Sequence, residues 1–176
     1  MWAIVKDNEI TETFSNLKGL VIDNIQYSRN IFSLWSEAER NAIGVYTIED
    51  DNSNRKDQTC YTNTEVSYAF ADGKVTASYG TATPKELSGL KTEKKKIIKQ
   101  QASDLLTPTD WYVIKATEVE SYSVPEATTT YRADVRTKSN DMEVLIDACS
   151  TVDELAALYV YTDGSRPLGE FPTLEV

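Results

Sequence analysis

Each of the four helices read between Thr83 and Leu158 opens with Ser, Thr or Asn three residues ahead of Glu. The pairs are Thr83 with Glu86, Ser123 with Glu126, Asn140 with Glu143 and Thr151 with Glu154. In such a capping box the first side chain accepts a free amide of the opening turn and the carboxylate reaches back to the cap. Four start signals in 76 residues constrain this half to short-looped helices. The first runs from Thr83, with Pro84 at its opening position, to a stop at Thr107-Pro108. Its apolar positions Leu87, Leu90, Ile97, Ile98, Ala102, Leu105 and Leu106 form one imperfect stripe. At 1.5 Å per residue the helix is about 35 Å long. The stripe is too irregular for a coiled coil.

After the stop, Trp111 to Ala116 is expected to be extended, with Trp111 buried at a corner made by Thr109 and Asp110. Ser123 then caps a helix that buries Val124, Ala127, Tyr131 and Val135 and carries Arg132 and Arg136 one turn apart. That arginine pair reads as surface or ion-pair residues rather than a phosphate site. Asn140 opens a helix burying Met142, Leu145, Ile146 and Cys149. Thr151 opens another, burying Val152, Leu155 and Leu158. Asp163-Gly164 is a turn, and Leu168 to Val176 is expected to be extended.

The first half reads differently. Two β-prone runs flank Asp7-Asn8, two more flank Asp23-Asn24, and a third pair flanks Asp72-Gly73. Two-residue turns of this kind need positive φ at both positions, which Asp, Asn and Gly tolerate. Ser36 with Glu39 opens one short helix, and Gly44 can close it in the left-handed region. Val45 to Ile48 resumes as a strand, with Val45 and Thr47 on one face and Tyr46 and Ile48 on the other. The polar tract Glu49 to Asp57 reads as a solvated loop, because its carboxylates lack the spacing of a calcium-binding loop. The Tyr61–Tyr79 ribbon has no strongly apolar face. It is either the exposed edge of the N-terminal sheet or a strip lying on a partner.

The chain is therefore expected to be α+β. An N-terminal antiparallel β module with a short helix fills residues 1–82. A long connecting helix fills 83–107, a small helical C-terminal domain 108–160 and an extended tail 161–176.

A formal net charge of −10 argues against a nucleic-acid partner. The Lys94, Lys95, Lys96 and Lys99 cluster reads as a solvated helix face. Histidine is absent, which removes the commonest general base and metal ligand. Cys60 and Cys149 match no metal or redox spacing and read as free, small apolar residues. The opening residues do not read as a signal peptide, and no apolar run is long enough to span a membrane. No catalytic, cofactor-binding or metal-ligating residue stands out: there is no Gly-x-Ser-x-Gly, no phosphate-binding Gly-rich loop and no credible dyad.

The string Lys-Ile-Ile-Lys-Gln-Gln-Ala-Ser-Asp-Leu-Leu-Thr-Pro-Thr-Asp-Trp111, followed by Pro125 and Tyr131-Arg132-x-x-Val135-Arg136, resembles the C-terminal segment of bacteriophage tail-fibre and tail-fibre-assembly proteins. A weaker echo of the module that opens many such proteins lies in Tyr27-x-Arg-Asn-Ile-Phe, Trp35-Ser-x-x-Glu39 and Ile43-Gly44. Val135 stands where the family usually has leucine, and keeps the apolar role. The resemblance implies a non-enzymatic tail-fibre, fibre-adaptor or baseplate-peripheral subunit. Such a protein is made in the host cytoplasm and resides in the virion tail. Its partners would be other tail or baseplate proteins and copies of itself, with threefold assembly suggested by analogy, and no nucleic acid, membrane or cofactor. Two alternatives are a fibre-assembly chaperone absent from the finished particle and a glycan-binding receptor-recognition module using Trp35, Trp111 and the tyrosines.

Overall fold

The protein is α+β. A computed structural model describes residues 1–174, and the last two residues of the expected tail lie outside the described residues. The chain divides into two units, residues 1–83 and 84–176.

The first unit is built on a five-stranded sheet in the order β2-β1-β5-β8-β7. Its strands are Trp2–Lys6 (β1), Glu9–Phe14 (β2), Val45–Asp51 (β5), Val66–Ala71 (β7) and Lys74–Tyr79 (β8). Leu20–Ile22 (β3) and Ile25–Tyr27 (β4) form a separate hairpin. All three expected turns form, with φ of 52° and 64° at Asp7 and Asn8, 49° and 64° at Asp23 and Asn24, and 50° and 73° at Asp72 and Gly73. Tyr61–Thr62 (β6) pairs with the short strand Thr83–Pro84 (β9).

Alternation sets two cores on the two faces of the sheet. Ala3, Ile48, Val75 and Ala77 are buried on one face with Tyr46, Tyr68 and Phe70 against them. Phe14 and Val45 lie in the other core, with Trp2 and Ile4 against them and Leu20 of β3 joining from the hairpin. That second core also holds Ile31 and Phe32 of a short helix, Ile31–Leu34 (α1), which the sequence reading did not anticipate. Next comes Glu37–Ala42 (α2), opened by the expected Ser36–Glu39 capping box. Gly44 then turns left-handed at φ 81°. A Cβ there would lie 2.5 Å from the Val5 carbonyl oxygen, so only glycine lets β1 dock at this point.

Three expectations for this unit need correction. The β module is not purely antiparallel, because β5 and β8 run parallel. Glu49, Asp50 and Asp51 are strand rather than loop, drawn into the sheet by that pairing. In the Tyr61–Tyr79 ribbon β7 lies at the sheet edge, as one of the two readings expected, but β8 lies inside the sheet and buries Val75 and Ala77, so the ribbon has the apolar face it was expected to lack.

The second unit pairs Leu87–Leu106 (α3) with Glu126–Ala148 (α5), with Asp110–Glu118 (α4) and Val152–Ala157 (α6) beside them. Helices α3 and α5 run antiparallel: Lys95 meets Asp147 and Lys99 meets Glu143, while Arg132 meets Leu106. The basic cluster is therefore partly an interhelical ladder rather than only a solvated face.

Four helix boundaries differ from the sequence reading. Thr83 does not cap α3. Glu86 does, and its carboxylate accepts from the Ser88 and Gly89 amides. Ser123 and Glu126 form no box, since α5 begins at Glu126 behind Pro125 without a side-chain cap. Asn140 opens nothing, because α5 runs through it as one 23-residue helix. The buried stripe of α5 is Thr128, Tyr131, Val135, Ser139, Met142 and Ile146, spaced by three or four residues throughout. That uninterrupted spacing outweighs an internal cap signal. Ala127, Leu145 and Ile97 are exposed instead of buried. Finally, Trp111 to Ala116 is helical, as part of α4.

The Thr151–Glu154 box does form, opening α6. Asp163 and Gly164 turn as expected, at φ 52° and 81°. The segment after α6 folds back on its own unit. Leu168 is buried with Ile98, Met142, Ile146, Cys149 and Leu155, and Phe171 packs on both clusters of this unit.

Candidate interaction surface

The Leu105–Asp110 turn and the Tyr131–Arg132 stretch meet in space. The C-terminus of α3 leaves carbonyls without helical partners. Two side chains of α5 take them. The Tyr131 hydroxyl donates to the Leu105 carbonyl at 3.4 Å, and Arg132 Nη1 donates to the Leu106 carbonyl at 2.9 Å. Arg132 also donates to Thr109 Oγ1 at 2.5 Å and pairs with Asp110 at 2.7 Å. Arg132 is 8% exposed and Thr109 2%. The guanidinium fork thus spends its donors on one corner, which leaves little for an outside anion. Arg136 donates to the Arg132 carbonyl at 3.2 Å and is otherwise exposed.

The corner was expected to be pinned by a buried Trp111. It is pinned by Arg132 instead, and Trp111 is 50% exposed. The β-branched and aromatic run Trp111-Tyr-Val-Ile114 argues for a strand on propensity. Pro108 early in the turn before it and Asp110 in the first turn of α4 argue for a helix start, and they prevail.

Helix α4 has no buried residue. Trp111, Val113, Ile114 and, just beyond the helix, Val119 are each more than 40% exposed. The Trp111 ring lies on Tyr112 with centroids 3.8 Å apart, and Lys115 Nζ sits 5.8 Å from the Trp111 ring and 4.3 Å from that of Tyr122. Tyr112 and Ala116 are the half-covered positions. At about 100° per residue, Val113, Ile114 and Trp111 occupy the opposite side of the helix, over an arc of roughly 160°. By the same spacing Asp110 and Glu118 fall within this arc, and residues 110–126 carry four carboxylates, Asp110, Glu118, Glu120 and Glu126, against Lys115 alone. A helix apolar on its outward side is normally covered by protein.

The remaining surfaces are less pointed. An open groove of about 630 Å³ in the first unit is floored by Ile4, Ile22, Ile25 and Ile43. Its charged groups are engaged: Lys6 pairs with Asp23, and Glu12 with Lys18, each at 2.5 Å. Val21 and Ile25 of the β3–β4 hairpin are 70% and 55% exposed. Trp35 is half-buried edge-on to Tyr27 rather than offered as a platform.

Cys60 and Cys149 are free and buried, and burial raises the Cys149 thiol above its usual range, so it stays neutral. Among the described residues no group of three or more Cys, Asp or Glu side chains gathers as a metal site. No helix among them is long and apolar enough to cross a membrane. Comparison with family models, with curated proteins and with solved structures found no match to this chain.

Proposed function

We propose that this chain is a non-enzymatic structural subunit of a bacteriophage tail. In this reading it is a fibre, fibre-adaptor or baseplate-peripheral protein that works by burying surface against other tail or baseplate proteins and further copies of itself. The observation that carries the reading is α4: a helix rich in large apolar residues, none of them buried. It is held by a buried Arg132 corner made from the very residues that resemble tail-fibre proteins. A rigid mount under an uncovered apolar helix suits a protein whose core is completed by a neighbour. The virion is its proposed location.

A second reading, a fibre-assembly chaperone, draws on the same feature, since an apolar helix face exposed in the isolated chain also suits a reversible partner. Mass spectrometry of purified particles separates the two. The structural reading expects the chain in fixed stoichiometry. Its absence from particles, together with fibres that aggregate when it is not co-expressed, would favour the chaperone.

A further inference from the structure

We propose that the outward face of α4 seats in an apolar groove with a basic rim on a different protein, and not against α4 of a second copy. The inference rests on the reading of the chain as an assembly subunit and names the partner of that surface.

Two observations exclude self-pairing as the better fit. The first is size. A stable symmetric dimer buries about 20 or more residues a side, whereas α4 has nine residues and presents three large apolar anchors, Trp111, Val113 and Ile114. A short helix laid into a preformed groove gains its affinity from such a small set of anchors. Tryptophan is the side chain most often at the energetic centre of an interface.

The second observation is charge. Asp110 and Glu118 lie on the face, Glu120 and Glu126 follow it in the chain, and Lys115 is the one basic residue between positions 110 and 126, on a chain of net charge −10. Asp110 is partly neutralised by Arg132, but Glu118, between Trp111 and Ile114 on the helix circumference, has no such cover. Two copies meeting through α4 would bring these carboxylates together. A groove edged with lysine or arginine would complement them, speeding association and rejecting a second copy.

The test uses the full chain. Ile114→Asp removes an anchor that is 56% exposed, so the fold is expected to survive, as circular dichroism would verify. Glu118→Lys with Glu120→Lys leaves the three apolar anchors in place and reverses the charge beside them. Sedimentation of the purified wild-type chain is expected to show no self-association that Ile114→Asp abolishes; finding one would overturn the proposal in favour of a second copy. In particles assembled with each variant, incorporation is expected to fall at least about tenfold for both variants. Ile97→Asp, an exposed apolar change on α3, is expected to leave it unaltered.

Wild-type incorporation by both variants would sink the proposal while leaving the virion reading intact. Loss with Ile114→Asp alone would sink the basic rim. If the wild-type chain is absent from particles, the virion reading fails. A photo-crosslinker at Ile114 in producing cells then decides the proposal. A crosslinked peptide from another protein, with Lys or Arg beside apolar residues, supports it; a peptide of this chain, or none, contradicts it. Binding on a glycan array that is lost with Trp111→Ala and unchanged by the rim variant would also overturn it.

Discussion

Helices α4 and α5 begin only 16 residues apart, and both contain several large apolar side chains, yet they end in opposite environments. Along α5 the apolar residues recur every three or four positions. Tyr131, Val135, Met142 and Ile146 therefore share one line and disappear against α3, α6 and the returning segment. In α4 the residues Trp111, Tyr112, Val113 and Ile114 are consecutive and point in four directions, so no single neighbour within the unit can cover them. Spacing, more than content, decides which helix completes its own core. Between the two stands Arg132, buried on α5 and bonded to the start of α4. It fixes an exposed helix to a buried one.

The sharpest way to break this contrast is to truncate one side chain in each helix. Ile146→Ala, at a fully buried site, is expected to cost about 2–5 kcal/mol in urea unfolding. Ile114→Ala is expected to stay within roughly 0.5 kcal/mol. Comparable losses would mean that α4 is packed after all.

The corner itself comes next. Arg132→Met removes the guanidinium bonds to the Leu106 carbonyl, the Thr109 hydroxyl and Asp110, leaving the carbonyl with the Thr109 hydroxyl as its donor, and should cost about 1–3 kcal/mol. A loosened corner should also weaken the near-ultraviolet dichroism of the Trp111–Tyr112 pair. Arg132→Lys, with one ammonium in place of a planar fork, should recover only part of the stability. Full recovery by lysine would show that the bonding geometry is unimportant.

A smaller effect separates real caps from apparent ones. Thr151→Ala should cost about 1 kcal/mol, because its hydroxyl accepts the Glu154 amide at the start of α6. Ser123→Ala, in a box that does not form, should be close to neutral in the same assay. Equal losses would restore the box at Ser123.

The mildest prediction concerns acid. The carboxylate of Glu86 accepts the Gly89 and Ser88 amides, and these bonds hold its pKa below the ordinary glutamate value. The lower folded pKa means its stabilising contribution is complete above the ordinary glutamate range and is lost as pH falls through the folded value. The protection of the Ser88 and Gly89 amides, measured against the intrinsic exchange rate at the same pH, should therefore fall on acidification. In Glu86→Gln that acid-dependent loss of protection should be absent, and its persistence would point to another group.

The sequence was most legible where a local rule acts alone. Asp7-Asn8, Asp23-Asn24, Asp72-Gly73 and Asp163-Gly164 all turn with positive φ, because few other residues tolerate that geometry. The Ser36 and Thr151 caps form for a similar reason. Legibility failed where two local rules compete. At Asn140 a cap signal lies inside a longer apolar stripe, and the stripe prevails. At Trp111 strand propensity meets a proline-and-aspartate helix start, and the start prevails. The parallel pairing of β5 with β8 and the burial of Leu168 and Phe171 depend on distant segments, which no local pattern reveals. Of the candidate surface, the corner residues Thr109, Asp110, Tyr131 and Arg132 were visible as a motif. Their mutual bonding and the exposure of Trp111 were not.

The most direct measurement is a hydroxyl-radical footprint of Trp111 in purified particles and in the isolated chain. The proposal of a subunit that completes itself against a neighbour expects the chain in the particles, with Trp111 oxidised several-fold more slowly there than in isolation. A chain missing from the particles, or a Trp111 equally reactive in both, would contradict it.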